Sequence, residues 1–453
     1  MTVFRSTALA FASAYFLTSV FAAPVAAQCV PSGLIINCTG TDTTGIEEDI
    51  DGLTVIVAPG ADITVADDAV VLDGDDNTLT NSGTIASTGS GDEGVQSDGD
   101  NFTLINIGTI TSDDDDGVLA EGDGAAIVNS GTITSEGEAI RTDGDMAIIT
   151  NTGAITSNDN QAIEAEGAGS LITNSGTITS ATEGVEAQNE VVITNAAGGT
   201  ITGEEDGVQF GDGLLINALG ATITGGSAGG DGDGVDVDFG RIENHGTIQS
   251  LGTGSAAIDV DEVDFDDQPI TELLTIVNSG TISGEIGILV EPDLNGGANE
   301  TQQVIRNSGT ISALSGPAMT LAAGDDSVWL ETGSITMGDI LLGAGEDTLS
   351  VASGIFVGAG DLFDGGEGLL DLLDFSPDLL STDATINVLG GGLFAVGQIT
   401  FLNFERLAFA DGLFALSSDG SIAPVPLPAG LPLLLAGLGG FAALRLRARR
   451  AQS

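Results

Sequence analysis

The chain predicts an all-β fold, a right-handed parallel β-helix (β-solenoid), and three observations carry that prediction. Between Asn81 and Ile311 a phrase recurs ten times: an apolar pair, Asn, a small residue, Gly, Thr and Ile. Its asparagines are Asn81, Asn106, Asn129, Asn151, Asn174, Asn195, Asn217, Asn244, Asn278 and Asn307, spaced 21 to 34 residues apart, a period typical of solenoids. Each phrase follows a short segment of strict two-residue alternation, and no segment between them carries a sustained helical apolar stripe.

One unit of about 22 residues therefore reads as three short strands. The first is the alternating segment, as in Val95-Gln-Ser-Asp98, Val118-Leu-Ala-Glu121, Ile140-Arg-Thr-Asp143 and Val235-Asp-Val-Asp238. Alternation sends its first and third side chains inward and its second and fourth outward. The second strand ends on the repeated Asn, and the third carries Gly-Thr-Ile. Stacked rungs place identical amides one above another, where they can hydrogen-bond up the column. The glycine two residues after the Asn, as in Gly83, Gly131 and Gly176, is expected to supply a positive φ at the corner. At Asn195-Ala-Ala-Gly-Gly199 and Asn217-Ala-Leu-Gly-Ala221 the corner gains two residues before Thr-Ile resumes. Some thirteen rungs make a rod on the order of 60 Å long.

Ahead of the repeats, residues 1–27 read as a secretory signal: a basic start at Arg5, an apolar stretch from Ala8 to Ala23, and Val25-Ala-Ala27 as the cleavage site. Residues 28–50 are expected to cap the first rung. Cys29 and Cys38, the two cysteines of the chain, read as a disulfide there, with a metal pair as the alternative. The solenoid proper occupies 51–323.

Beyond it the text changes. Gly324-Asp-Asp-Ser-Val-Trp-Leu330, Gly343-Ala-Gly-Glu-Asp-Thr-Leu349 and Gly365-Gly-Glu-Gly-Leu-Leu-Asp371 continue the rungs, then Phe401-Leu-Asn-Phe-Glu-Arg-Leu407 and Gly412-Leu-Phe-Ala-Leu416 follow. The stretch 324–416 resembles the C-terminal part of autotransporter passenger domains, although the residues after Leu416 are expected to leave no room for the many strands of an outer-membrane barrel. Its Gly-Asp phrases are also similar to degenerate calcium-binding glycine-rich repeats, which makes Asp347 a candidate metal ligand. After a linker at 417–424, the tail at 425–453 holds Val425-Pro-Leu-Pro-Ala429, an apolar span from Leu427 to Leu444 long enough to enter a bilayer, and Arg445, Arg447, Arg449 and Arg450. It resembles the Val-Pro-Leu-Pro-Ala class of exosortase sorting signals, with Val425, Pro426, Leu427, Pro428 and Ala429 as the motif. The resemblance implies an exosortase-type processing partner, an inner-membrane precursor and delivery to the cell surface or extracellular matrix. A plain C-terminal membrane anchor is the simpler reading of the same segment.

Charge narrows the function classes. Nine arginines and no lysine stand against 67 acidic residues, a net charge of −58, which excludes nucleic acid as a partner. The fourth residue of the alternating strand forms a column through Asp98, Glu121, Asp143, Glu166, Gln188, Gly211, Asp238, Asp261 and Glu291. With only Arg141, Arg241, Arg306 and Arg406 outside the signal and tail, the column is expected to lack basic compensation. It reads either as a solvated acidic face or as a weak divalent site, with Asp238 and Asp261 as ligands and calcium as the one cofactor in view. A polysaccharide-active site would need paired carboxylates, for which Asp236, Asp238, Asp259 and Asp261 are candidates, but aromatic and basic sugar platforms are scarce. Trp329 and Arg241 stand nearly alone, and His245 reads as a corner residue. The rungs lengthen at Gly225 to Gly234, Glu262 to Glu272 and Glu291 to Thr301, either as binding loops or as tolerated decoration. Together these features favour a non-catalytic structural or adhesin-like surface protein, with polysaccharide as a candidate ligand and a polysaccharide lyase or hydrolase as the alternative.

Overall fold

A computed structural model describes residues 28–226, 232–260, 273–291, 301–376, 378–417, 419 and 421–425. Nearly every described strand is short, two to five residues, and no helix occurs among the described residues. The strands stack into three parallel sheets that wrap one apolar core, with about 14 turns, the number of strands in the smallest sheet.

Sheet I collects the alternating strands, such as Val95–Ser97, Val118–Ala120 and Ile140–Thr142. Sheet II collects the strands that end on Asn, such as Thr103–Asn106 and Ala126–Asn129. Sheet III collects the Thr-Ile strands, such as Thr109–Ser112 and Thr132–Ser135. Rung-to-rung register is strict: Val95 pairs with Val118, Asn106 with Asn129, and Ile110 with Ile133. The inward positions are mostly Val, Ile, Leu or Ala, and columns such as Ile85, Ile110, Ile133, Ile155 and Ile178 are fully buried. Each such side chain adds about 1.5–3 kcal/mol of hydrophobic stabilisation, and each packs on its own counterpart one turn away. That repetition lets a 22-residue motif that cannot fold alone build a continuous core.

The asparagine column forms throughout. All ten amides are buried, and the Nδ2 of the first nine donates to the Oδ1 of the next rung at 2.8–3.1 Å, ending on Asn307. In most rungs the same Oδ1 also accepts the N–H of the glycine two residues on, as Asn151 does from Gly153. The positive φ expected of that glycine is not found: Gly83, Gly131 and Gly176 are absent from the glycines with positive φ. Glycine is required there because the corners stack backbone on backbone, and a Cβ on Gly131 would lie 2.1 Å from the carbonyl oxygen of Gly108. Positive φ is used at the lengthened corners instead, at Gly198 (87°) and Gly220 (81°).

Both ends of the rod close antiparallel. Gln28–Pro31 folds back on Ile35–Thr39, which itself opens the parallel stack against Thr54–Val57. Cys29 pairs with Cys38 across this hairpin, and a disulfide joins them. At the far end Ile386–Gly390, Leu393–Val396 and Ile399–Leu402 form a meander over sheet I. Arg406–Phe409, Gly412–Leu416 and Ile422–Pro424 do the same over sheet II, so the segment read as a linker ends in a strand. Phe375, Phe394, Phe401, Phe404 and Phe409 fill the space beneath, their rings packed edge-on or stacked about Phe401 and Phe375. Aromatics replace the aliphatic column here because the last turn must be covered, and large rings bury most area per residue. The antiparallel strands break the parallel register on which a further rung would stack.

Candidate functional site

The acidic residues resolve into distinct columns, each set by its place on the rung. The corner between sheets I and II carries Asp51, Asp75, Asp100, Asp123 and Asp145. Each carboxylate accepts the backbone N–H of the next rung's corner at 2.9–3.1 Å. These aspartates act as backbone caps. Except at Asp51, which follows Ile50, their signal in the sequence is the Gly-Asp that recurs just after the alternating strand, its Asp two residues beyond the acidic position that the alternation itself marks.

That preceding acidic position is the fourth-residue column. Hydrogen bonding to Asp98 raises the Glu121 carboxyl, with burial and the charge of Asp98 adding to it. The expected lack of basic compensation does not hold at its centre. Arg141 leaves sheet I outward and reaches Asp143 at 2.8 Å, Glu166 at 2.8 Å and Glu164 at 3.6 Å. One guanidinium thus serves three carboxylates from adjacent rungs. Glu164 is nevertheless pushed up to about 7, because burial outweighs the arginine.

The corner entering sheet I forms another column. Asp68 accepts the N–H of Glu93 at 2.8 Å and Asp116 that of Glu138 at 3.0 Å. Among the described residues, three carboxylates converge within 4.8 Å at Asp67, Asp68 and Asp92, and again at Asp115, Asp116 and Glu138. Burial, then Glu138, pushes Asp116 up to about 9, and burial, then Asp68, pushes Glu93 up to about 8. Protons held at these corners compete with any cation.

Further along the same corner the column opens into a cavity of about 400 Å³, lined by Asp206, Asp233, Asp236, Gly254, Ser255, Asp259, Leu289 and Glu291. Asp206 accepts the N–H of Asp233, and Asp233 that of Ala256, both at 2.6 Å. Asp236 and Asp259 stand in register on adjacent strands of sheet I. Alternation points them outward, yet each is only 8 % exposed, so the outward face of these two rungs is not the solvated one the pattern suggests. Asp236 accepts from Gln209 Nε2 at 3.1 Å. Of the four carboxylates singled out for paired acid chemistry, Asp236 and Asp259 line the cavity. Asp238, half-buried, does not, and Asp261 lies outside the described residues. Glu291, already on the acidic column, joins the cavity wall together with Asp206 and Asp233.

A last column lies in the divergent rungs. Asp326, Asp347 and Asp371 are essentially inaccessible. The Oδ1 of each accepts a backbone N–H one rung back, from Gln303, Asp326 and Asp347 at 2.7, 2.8 and 2.9 Å, while each Oδ2 has no hydrogen-bond partner among the described residues. Burial pushes the three carboxyls up, to about 8 at Asp326, about 7 at Asp347 and about 6 at Asp371. Asp347 is thus one step of a buried ladder at the entry to sheet II, whereas Asp238, on the same corner, directly follows its strand of sheet I.

The remaining candidates scatter. His245 Nδ1 meets Ser279 Oγ at 2.6 Å beside the Asn column. The Arg306 guanidinium stacks 4.5 Å over the Trp329 ring on the outer face of sheet II. Val425 donates its N–H to Leu413 O as the described chain ends. Pro426, Leu427, Pro428, Ala429, Arg445, Arg447, Arg449 and Arg450 lie outside the described residues, as do the signal segment and most of the three lengthened loops. The loops after Val260 and Val290 leave from paired positions of sheet I, hence from one corner, next to Glu291 of the cavity. No family model, curated protein or solved structure matches the chain.

Proposed function

We propose that this β-solenoid is a non-catalytic structural or adhesive rod of the cell surface or extracellular matrix. The observation that carries the reading is that its repeated Asn and corner Asp residues are spent on stacking. The Asn column and the Asp51-to-Asp145 column bind one rung to the next, so these residues hold the rungs together and extend the rod. Delivery through an exosortase-type enzyme, by way of an inner-membrane precursor, rests on the resemblance of the tail from Val425 to Arg450. Cell fractionation with mass spectrometry of the mature C-terminus tests it. Surface-exposed protein that ends before Arg445 is expected, and an intact Arg-rich end on that protein overturns the delivery route.

The acidic cavity favours a second reading, a polysaccharide lyase or hydrolase, because it gathers in-register Asp236 and Asp259 with Asp206, Asp233 and Glu291 on one wall. Incubation with acidic and neutral polysaccharides separates the two. New chain ends that disappear in Asp236→Asn and Asp259→Asn establish the enzyme, and binding without cleavage supports the rod. Weak calcium binding along the acidic columns is compatible with either.

A further inference from the structure

We propose that the outer face of sheet III is an ice-binding surface. The residues that carry this are the outward threonines, in two columns. The first runs from Thr84 to Thr310 in unbroken register over ten rungs, and Ala154 is its one interruption. The second, two residues further along each strand, is threonine in six consecutive rungs from Thr111 to Thr224. Thr224 is buried and accepts from Gln249. The other hydroxyls are not spent on hydrogen bonds among the described residues. Thr177 is exposed and the others are partly exposed, standing side by side above a fully buried isoleucine column.

The geometry is a lattice. Successive rungs repeat at about 4.8 Å, and the two threonines of one strand lie about 6.6–6.8 Å apart, twice the rise per residue. Hexagonal ice repeats its oxygens at closely similar intervals along two perpendicular axes of its prism faces. Threonine also has the right side chain for such a match. Its β-branch restricts χ1, so hydroxyls and methyls hold fixed positions, and the two groups anchor and order neighbouring water respectively.

The face is also uncharged. In a chain of 67 acidic residues, the outward positions of sheet III from Thr84 to Ser312 hold only Thr, Ala, Ser and Gln. The outward face of sheet I carries carboxylates such as Glu164, Glu186 and Asp236, while that of sheet II from Thr78 to Ile216 is uncharged but mixes threonine with Ile, Val, Leu and Ala and forms no such lattice. A protein or polyanionic partner would be recognised through charge or aromatic contacts, which this face lacks. An occupant whose own surface is a flat periodic net of hydrogen-bonding oxygens fits it. The inference does not depend on the adhesive reading, since it concerns a face that reading leaves unused.

The test uses the purified full-length chain with a single ice crystal under controlled supercooling. Faceted growth and a freezing point held below the melting point are expected. Thr177→Lys and Thr179→Lys, in the middle of the lattice, should return both readouts to background while circular dichroism and thermal stability stay unchanged. Thr173→Lys makes the same change on the outward face of sheet II in the same turn, and should keep full activity. Failure of the wild-type chain to shape ice overturns the proposal. So does equal loss in Thr173→Lys, or adsorption to crystalline polysaccharide or to a second copy through this face in place of ice.

Discussion

Raising the pH should loosen the C-terminal rungs first, and Asp326→Asn should remove much of that effect. Asp326 stands 1 % exposed with Asp347 and Asp325 nearby. Asp347 faces Asp371, Asp325 and Glu346, and Asp371 faces Glu405, Glu346 and Arg406. Burial raises the Asp326 carboxyl from 3.8 to about 8, so the folded chain holds a proton the unfolded chain has already released. Stability from this group is therefore complete below about pH 4 and is lost as pH rises through 8. Four pH units at about 1.4 kcal/mol each put the full loss on the order of 5 kcal/mol. Trp329, the one tryptophan, lies on the strand that Asp326 precedes, Ser327–Leu330, so its fluorescence follows this end of the rod during urea unfolding. The wild-type midpoint should fall steeply between about pH 4 and pH 8, and Asp326→Asn, which keeps the Oδ1 acceptor for Gln303, should flatten the slope. Identical slopes in the wild type and in Asp326→Asn, Asp347→Asn and Asp371→Asn would refute the buried-ladder assignment.

Two further outcomes test the stacking itself. Asn151→Ala removes bonds to Asn129, Gly153, Asn174 and Thr177 and should cost roughly 3–5 kcal/mol, at about 1 kcal/mol each. Thr150→Ala, on the outward side of the same strand, should stay within about 0.5 kcal/mol in the same denaturation experiment. Gly131→Ala forces a Cβ to 2.1 Å from the Gly108 carbonyl oxygen, against the rigid backbone of Ile107 and Gly108, and should cost about 1–3 kcal/mol or more. The neighbouring exposed Ser130→Ala should be nearly silent, and equal thermal stability of the two variants would show that the corners are not closely stacked.

The period, the inward alternation and the Asn column are legible in the amino-acid sequence alone, because all three are local consequences of a repeated unit. Alternation assigns a side chain to a face from its own strand, and an Asn that recurs at the same point of each unit must meet its copies once the units stack. The parallel solenoid, the core columns and the amide ladder from Asn81 to Asn307 therefore follow from the sequence by itself.

Tertiary structure decided whatever depends on the distance between residues of different rungs. It showed glycine at Gly131 to be required by a carbonyl one turn away, where local reasoning supplies only a φ preference. It placed Arg141 among three carboxylates, and it buried Asp236, Asp259 and the ladder from Asp326 to Asp371. The burial of a carboxylate is set by its neighbours above and below and by how each corner closes, and neither is written in its own rung. The threonine lattice belongs to the same class: each Thr-Ile-Thr is an ordinary strand, and only strict register over ten rungs makes a neutral, periodic face of it.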